Sequence, residues 1–395
     1  MDFESAVKFL KSFNPYEDKG FPAYNEKNFN VERVRKFLKA RKIGFSKLKY
    51  VHVTGSKGKS SVCMLTGQYL WKKVYKVGVF TNPYIMDVRE CFWMNGKNIS
   101  KKEFVERVLE LKKFVKKYKG LELTYFELLV VLILEYFVDG GVDFVVMEVG
   151  LGGRLDATNV VSADVAVLTT VEKEHTEILG KTYEKILNEK LGIVVGKNVK
   201  NLVVGWQMPS VKKLVEKKTK GVKNVIFVKE NDNGKMVFEI VKMLLGKVDE
   251  KLLAKIVADF KMIGRLDLRI IKGKTVVFDM AHTEKSILRL LDFLKVNFKN
   301  KKWNFLVSIM KNKNVKSILQ PIYKVADKII VTSSVTERGF KARELEGLAR
   351  EIGLNVLVFE NGKEAYLSLL KKMGRSDVLV VTGSHFLVGD ILKTL

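Results

Sequence analysis

Val145-Val146-Met147-Glu148-Val149-Gly150-Leu151-Gly152-Gly153-Arg154-Leu155-Asp156-Ala157-Thr158-Asn159 is the stretch that decides the fold. Residues 144–147 form an unbroken apolar run, the pattern of a strand covered on both faces, and the run ends on the carboxylate of Glu148. Open α/β sheets bind ligands at the carboxyl ends of their strands, so Glu148 stands where a ligand would be met. Gly150, Gly152 and Gly153 let the backbone turn tightly and approach closely, while Arg154, Asp156, Thr158 and Asn159 add charge and hydrogen-bonding groups. Taken alone, the run also fits an ordinary strand-to-loop junction with a solvated carboxylate.

On both sides of this run short apolar segments alternate with longer amphipathic ones, the pattern of parallel βαβ units. Strands are expected at residues 51–53, 77–80, 144–147 and 165–168, and helices from about residue 61 and over residues 104–118 and 125–137. A second series begins at Gly264-Arg265, with strands at 275–278, 305–307, 328–331, 355–359 and 378–381. The expected fold is therefore α/β. Residues 1–262 form a P-loop-type, doubly wound, mostly parallel sheet domain, and residues 263–395 a smaller Rossmann-like α/β domain.

The chain has 395 residues, 47% of them hydrophobic, enough for two cores. Its longest apolar stretch, around residues 128–138, is broken by Glu135 and falls short of the roughly 20 residues that span a bilayer, so it reads as a buried helix. No basic segment followed by an apolar one opens the chain, and a cytoplasmic location with no membrane partner is expected. Cys63 and Cys91 lie in separate segments without metal-ligand spacing and are expected as buried apolar residues. The net charge of +27 suits a polyanionic partner. The lysines come in scattered pairs such as Lys112-Lys113 and Lys212-Lys213, without a basic tail or aromatic and basic alternation, which argues against nucleic acid.

His52-Val53-Thr54-Gly55-Ser56-Lys57-Gly58-Lys59-Ser60-Ser61 follows a strand and opens a helix. In that setting backbone amides cradle phosphates, a lysine reaches the terminal ones and the next hydroxyl contacts magnesium. The spacing is two residues shorter than G-x-x-x-x-G-K-[ST]. Such a loop needs an acid at the end of another strand to hold the metal, and Glu148 fits.

Together these segments resemble the folylpolyglutamate synthase and dihydrofolate synthase family, the folate branch of the ATP-dependent Mur ligases, over nearly the whole chain. The family's G-T-N-G-K-G-S is similar to residues 55–61, its T-S-P-H-L-V-D-V-R-E-R to residues 81–91, and its T-F-F-E to Thr124-Tyr125-Phe126-Glu127. The run from Glu148 to Asn159 is nearly verbatim, and D-H-T…E-K-A-G-I resembles Glu174-His175-Thr176 and residues 189–193. In the second domain P-G-R-L, D-G-A-H-N and V-T-G-S-x-x-L-V-G are similar to residues 263–266, 279–283 and 381–389.

The resemblance implies a reaction and roles for the residues. ATP would phosphorylate a folate-type carboxylate, and the amine of L-glutamate would attack the acyl phosphate, with catalysis resting on positioning and charge neutralisation. Gly55, Gly58, Lys59, Ser60 and Ser61 would hold the phosphates, and Asn233 would contact adenine. Glu148 and His175 would hold Mg2+. Lys190 matches a lysine that is carbamylated in the family, a reaction that needs a neutral amine and hence burial. Arg265 and Asp279 would reach the nucleotide, with His282 near the transferring phosphate. Residues 124–127 and Leu155, Asp156 and Ala157 would line the acceptor site. For Thr124 and its neighbours a helix cap or loop hydrogen bond is the competing reading.

The chain departs from the pattern at several points. Asn82 replaces a serine that ligates magnesium, and Ser60 replaces a glycine, so the metal contact is expected to move from position 82 to Ser60. Tyr84 replaces a histidine, and Thr283 and Glu284 replace the asparagine and proline after His282. The leading expectation is a monomeric γ-glutamyl ligase that extends tetrahydrofolate and converts dihydropteroate to dihydrofolate. The alternatives are a Mur-type amide ligase for a different acid and a catalytically silent nucleotide-binding protein.

Overall fold

The computed structural model describes residues 1–13, 23–118, 123–334 and 336–395. Of these, the residues up to Phe260 form one compact unit and Lys261–Leu395 a second.

The sheet of the first unit contains β1 (Lys49–Thr54), β2 (Val77–Phe80), β3 (Trp93–Met94), β4 (Lys97–Asn98), β5 (Phe144–Glu148), β6 (Val165–Leu168), β7 (Asn201–Val204) and β8 (Asn224–Phe227). They lie in the order β4-β3-β2-β5-β1-β6-β7-β8, parallel except for the β3–β4 hairpin at one edge. Around them, in chain order, are α1 (Phe3–Lys11), α2 (Val31–Ala40), α3 (Lys59–Lys72), α4 (Lys101–Lys117), α5 (Tyr125–Asp139), α6 (Thr176–Leu179), α7 (Tyr183–Leu191), α8 (Pro209–Lys218), α9 (Asn233–Leu245) and α10 (Glu250–Asp259). β5 is buried at all five positions and α5 along nearly its whole length, which explains their unbroken apolar sequences. Cys63 and Cys91 are free and buried.

The second unit has β9 (Asp267–Ile271), β10 (Lys274–Phe278), β11 (Trp303–Val307), β12 (Lys328–Thr332), β13 (Leu357–Phe359) and β14 (Val378–Thr382), in the order β13-β12-β11-β14-β10-β9. Its helices are α11 (Glu284–Phe298), α12 (Val315–Tyr323), α13 (Ala342–Glu351), α14 (Gly362–Lys372) and α15 (His385–Leu392). The sequence reading did not place α1 and α2, the β3–β4 hairpin or the antiparallel edge strand β9. Both hairpins turn on a residue and a glycine at positive φ, Asn95-Gly96 and Lys272-Gly273. The strands around them are too short or too exposed to give a periodic signal.

In the first sheet β1 and β5 are parallel neighbours, with Val53 beside Glu148. The chain leaves β1 toward β2 on one side and leaves β5 toward β6 on the other, so the two carboxyl ends border a crevice at a topological switch point.

Candidate active site

The loop after β1 runs from Gly55 to Gly58 into α3. Gly55 has φ 144°, and a Cβ there would lie 1.8 Å from Thr169 Oγ1, so only glycine fits. Gly58, at φ 88°, takes the N-cap position of α3 without any side-chain cap, which directs the amide end of a 14-residue helix toward the loop. A Cβ on Gly58 would stand 3.1 Å from Asn233 Oδ1, so Asn233 at the start of α9 borders the same loop.

Glu148 is the node of the site and is 1% exposed. Ser60 Oγ donates to its Oε1 at 3.0 Å, the Asn82 amide N–H donates to its Oε2 at 3.2 Å, and Lys59 Nζ lies 3.9 Å from Oε1. Asn82 Oδ1 is buried without a hydrogen-bond partner, an acceptor aimed at nothing else in the protein. A buried carboxylate, a hydroxyl and an orphaned amide oxygen are all hard oxygen donors, a set that suits Mg2+. Among the described residues no three of His, Cys, Asp or Glu converge as a metal cluster, so an ion here would draw on this mixed set.

Lys190, on α7, is 4% exposed and donates from Nζ to the Gly55 carbonyl at 2.7 Å. Burial, with Lys59 and Lys57 adding to it against the pull of Glu174, lowers its ammonium to about 7. A substantial share of this amine is neutral at physiological pH, which is the chemical requirement for carbamylation. His175 is exposed, at φ 51°, and caps the short α6. Beside it Glu174 forms an ion pair with Lys57. Burial pulls the Glu174 carboxyl upward, but Lys57, then Lys59 and His175, outweigh burial and hold it below the usual range.

The glycine-rich loop after β5 is locked from within. Asp156 Oδ2 accepts from the Leu151 amide at 2.8 Å, and Oδ1 accepts from the Thr158 amide at 3.0 Å and hydroxyl at 2.6 Å. Thr158 Oγ1 in turn lies 2.8 Å from His52 Nε2, with both residues buried. Burial, assisted by Lys197, lowers the His52 imidazole to about 3. Arg154 pairs with Glu189 at 3.1 Å and Glu26 at 3.2 Å, and the Arg154 amide donates to the Glu189 carbonyl at 2.8 Å, fastening the loop to α7 next to Lys190. A Cβ at Gly153 would meet the Lys190 and Glu189 carbonyls at 2.8 and 2.9 Å.

The residues expected to line the acceptor site divide in two. Thr124 and Glu127 form a capping box at the start of α5, and Glu127 Oε1 also accepts from Arg33 Nε at 2.8 Å. The helix-cap reading accounts for both side chains, as the internal locking of its loop accounts for Asp156. Phe126 packs where a Cβ on Gly150 would come within 2.6 Å of its Cζ, and the Tyr125 hydroxyl is 3.4 Å from that of Tyr84. Phe126 and Tyr84 are part-buried, and Leu155 and Ala157 are 7% and 5% exposed at the loop's far end.

In the second unit Asp279, at the end of β10, accepts from the Leu266 and Ala281 amides at 2.8 and 2.9 Å, and burial raises its carboxyl against the pull of Arg265 and Arg289. Arg265 is exposed on the turn that Asp279 ties down. His282 Nδ1 lies 2.8 Å from the Met280 carbonyl, so Nδ1 carries a proton and donates to it. Thr283 caps α11 with Ser286, so this departure from the family pattern leaves the helix start intact.

The sequence reading missed a buried histidine in the same unit. His385, at the start of α15, is lowered to about 4 by burial, with Arg338 and Lys313 adding to it. The available signal was rarity, because the chain has only four histidines and His385 falls inside the last motif. It also missed Arg33, Lys57 and the His52–Thr158 contact, whose partners are distant in sequence.

Residues 53–265 match the Mur ligase middle domain and residues 264–385 the Mur ligase glutamate ligase domain. The chain belongs to the Mur ligase family and is an ATP-dependent ligase. Within that family it falls with the folylpolyglutamate and dihydrofolate synthases. It is 27% identical to dihydrofolate synthetase of Saccharomyces cerevisiae over 92% of this chain and 97% of that one. Its fold is that of Mycobacterium tuberculosis folylpolyglutamate synthase, solved with ADP and AMPPCP, with TM-score 0.84 and 22% identity over 100% and 98% of the two chains. It is also that of the bifunctional Yersinia pestis enzyme solved with AMPPNP and a manganese ion, with TM-score 0.82 and 21% identity over 100% and 98%. No helix among the described residues is long and apolar enough to cross a membrane.

Proposed function

We propose that this ligase joins L-glutamate to the carboxylate of a folate-type acceptor, extending tetrahydrofolate and converting dihydropteroate to dihydrofolate. The observation that carries the reading is the meeting of Ser60, Asn82 and Lys59 on Glu148, beside an uncapped helix start and a buried lysine of lowered basicity. A protein that only binds nucleotide has no use for that whole set, which disfavours the catalytically silent alternative.

In the reaction the acceptor carboxylate attacks the γ-phosphorus of ATP and ADP leaves. The glutamate amine then attacks the acyl carbon, phosphate leaves, and one proton is lost to give the amide. The amides at the start of α3 and Lys59 would hold the phosphate chain, Asn233 the base, and Glu148, Asn82, Ser60 and His175 the Mg2+ ion, which neutralises phosphate charge when bound. The amine of Lys190 would attack CO2, forming an N–C bond and losing a proton, and the resulting carbamate would supply a further anionic oxygen at the loop. Phe126, Tyr125, Leu155 and Ala157 would form the apolar wall for the acceptor, with Thr124, Glu127 and Asp156 holding it in shape. As the resemblance implies, Arg265 and His282 would contact the nucleotide phosphates, with Asp279 holding the Leu266 and Ala281 amides beside them. Lys313 and Arg338, around His385, would take the carboxylates of glutamate, in keeping with the glutamate ligase domain matched there.

The test is the purified chain with ATP, magnesium, glutamate and either dihydropteroate or tetrahydrofolate, scored for phosphate release and for the mass of the product. Acceptor-dependent phosphate release with a product heavier by one glutamyl residue supports the proposal. Release with neither compound would move the chain to a Mur-type ligase for another acid.

A further inference from the structure

Lys57 precedes the glycine and lysine of the phosphate loop. The loop fixes its place closely. The Ser56 amide donates to the Thr170 carbonyl at 2.8 Å, Ser56 Oγ donates to the Glu172 carbonyl at 3.1 Å, and the Glu172 amide donates to Ser56 Oγ at 2.9 Å. Lys57 itself makes a β-bridge with Thr170. This lacing sets the loop in register with residues 170–174 and brings the Lys57 ammonium onto the Glu174 carboxylate.

Lys57, Lys59 and Lys190 act electrostatically on one another or on Glu174, and Glu148 and Glu174 are the acids among them. Glu148 is deeply buried and engaged by Ser60 and Asn82, so Lys59 is turned toward the inside of the site. Lys57 and Glu174 have side chains 36% and 21% exposed, at the solvent side of the same loop. A half-exposed ion pair contributes little to stability, so its lysine is given up readily to a stronger anion, and a phosphate chain carries more charge than one carboxylate.

We infer that Lys57 is a second phosphate-binding lysine of the loop, held by Glu174 until a nucleotide polyphosphate displaces that carboxylate. Glu174 then acts as a competitor for the phosphate, which tunes affinity, and the pair reads the length of the phosphate chain. The inference rests on the loop being the nucleotide site.

The experiment is calorimetric titration of the full chain with AMPPNP and with AMP, both in magnesium, for wild type, Lys57→Asn, Glu174→Gln and the double variant. Lys57→Asn should weaken AMPPNP about tenfold and AMP less than twofold, because the monophosphate does not reach as far along the loop. Glu174→Gln should tighten AMPPNP about threefold, and that gain should vanish in the double variant, which then matches Lys57→Asn. Thermal melting of each unliganded variant reports folding. If Lys57→Asn leaves AMPPNP within twofold of wild type, or if Glu174→Gln weakens it as Lys57→Asn does, the pair is only structural and the inference fails. If wild type binds no AMPPNP, the nucleotide reading of the loop fails instead.

Discussion

Lys190 gives the sharpest test of the chemistry. Its amine, lowered to about 7, is about three-quarters neutral at pH 7.5, whereas a lysine in water is neutral to about one part in a thousand. The nucleophile available to CO2 is thus several hundred-fold more abundant at this one position than at an ordinary surface lysine. Wild-type protein equilibrated with 13C-bicarbonate should show a Lys190 carbamate carbon resonance, distinct from those of the N-terminal amine and of Lys197, which burial lowers to about 8; it grows as pH rises from about 6 to about 8 while the Lys190 ammonium loses its proton. Lys190→Arg should lack that resonance, since a guanidinium keeps its charge, and should lose activity by about 10- to 100-fold, the usual cost of removing an outer support of a metal site. Wild type moved into CO2-free buffer should lose activity and regain it with bicarbonate. The reasoning is refuted if the resonance is absent from wild type, or if it persists in Lys190→Arg, or if activity ignores CO2.

Four further outcomes are expected. Ser60→Ala and Asn82→Ala should each raise the magnesium concentration for half-maximal activity, Asn82→Ala by about tenfold because its oxygen has no other partner; a rise in Asn82→Ala alone would show that Ser60 serves only to orient Glu148. The folded pKa of His52, about 3, lies below its free value of 6.5, so the unfolded chain takes up a proton that the native state refuses between those pH values. Stability measured by urea unfolding should therefore fall by about 2 kcal/mol from this residue between pH 7 and pH 5, a slope absent from His52→Asn. Gly55→Ala, whose Cβ meets Thr169 Oγ1 at 1.8 Å, should cost about 2 kcal/mol or more and weaken AMPPNP binding in the same titration. Arg338→Ala should raise the KM for glutamate about 10- to 100-fold with the KM for ATP unchanged, as loss of a charge-assisted contact to a carboxylate predicts.

The sequence shows the buried parallel strands and helix α5 because such elements need unbroken apolar runs, as β5 and α5 have, whereas α1, α2, β3, β4 and β9 went unread. It shows the phosphate loop because backbone geometry there demands glycine at Gly55 and Gly58, and a glycine has no substitute at those φ values. Pairings across the chain left no such mark. Ser60 and Glu148 are 88 residues apart, and Arg33 and Glu127 are 94 apart. Nothing in local composition says that either pair meets. The lowered Lys190 amine is likewise a property of its surroundings, since the same residue type is abundant on the surface of this chain.

Motif resemblance has a second limit, visible in the acids. Glu148, Glu127, Asp156 and Asp279 all stand in motifs, and resemblance alone gives each a ligand. The structure separates them by the oxygens already used. Asp156 and Asp279 accept two or more hydrogen bonds from their own loops, and Glu127 accepts from the Thr124 amide and Arg33. Glu148 accepts from the Ser60 hydroxyl and the Asn82 amide with Lys59 nearby, and Asn82 brings an orphaned oxygen with it. Glu148, Ser60 and Asn82 would hold a metal ion as hard oxygen donors, whereas Asp156 and Asp279 already spend their oxygens on amides of their own loops. What sets Glu148 apart is therefore the company of a hydroxyl at Ser60 and an unsatisfied amide oxygen at Asn82, while Asp156 and Glu127 hold the shape of the loop and helix start in the same unit.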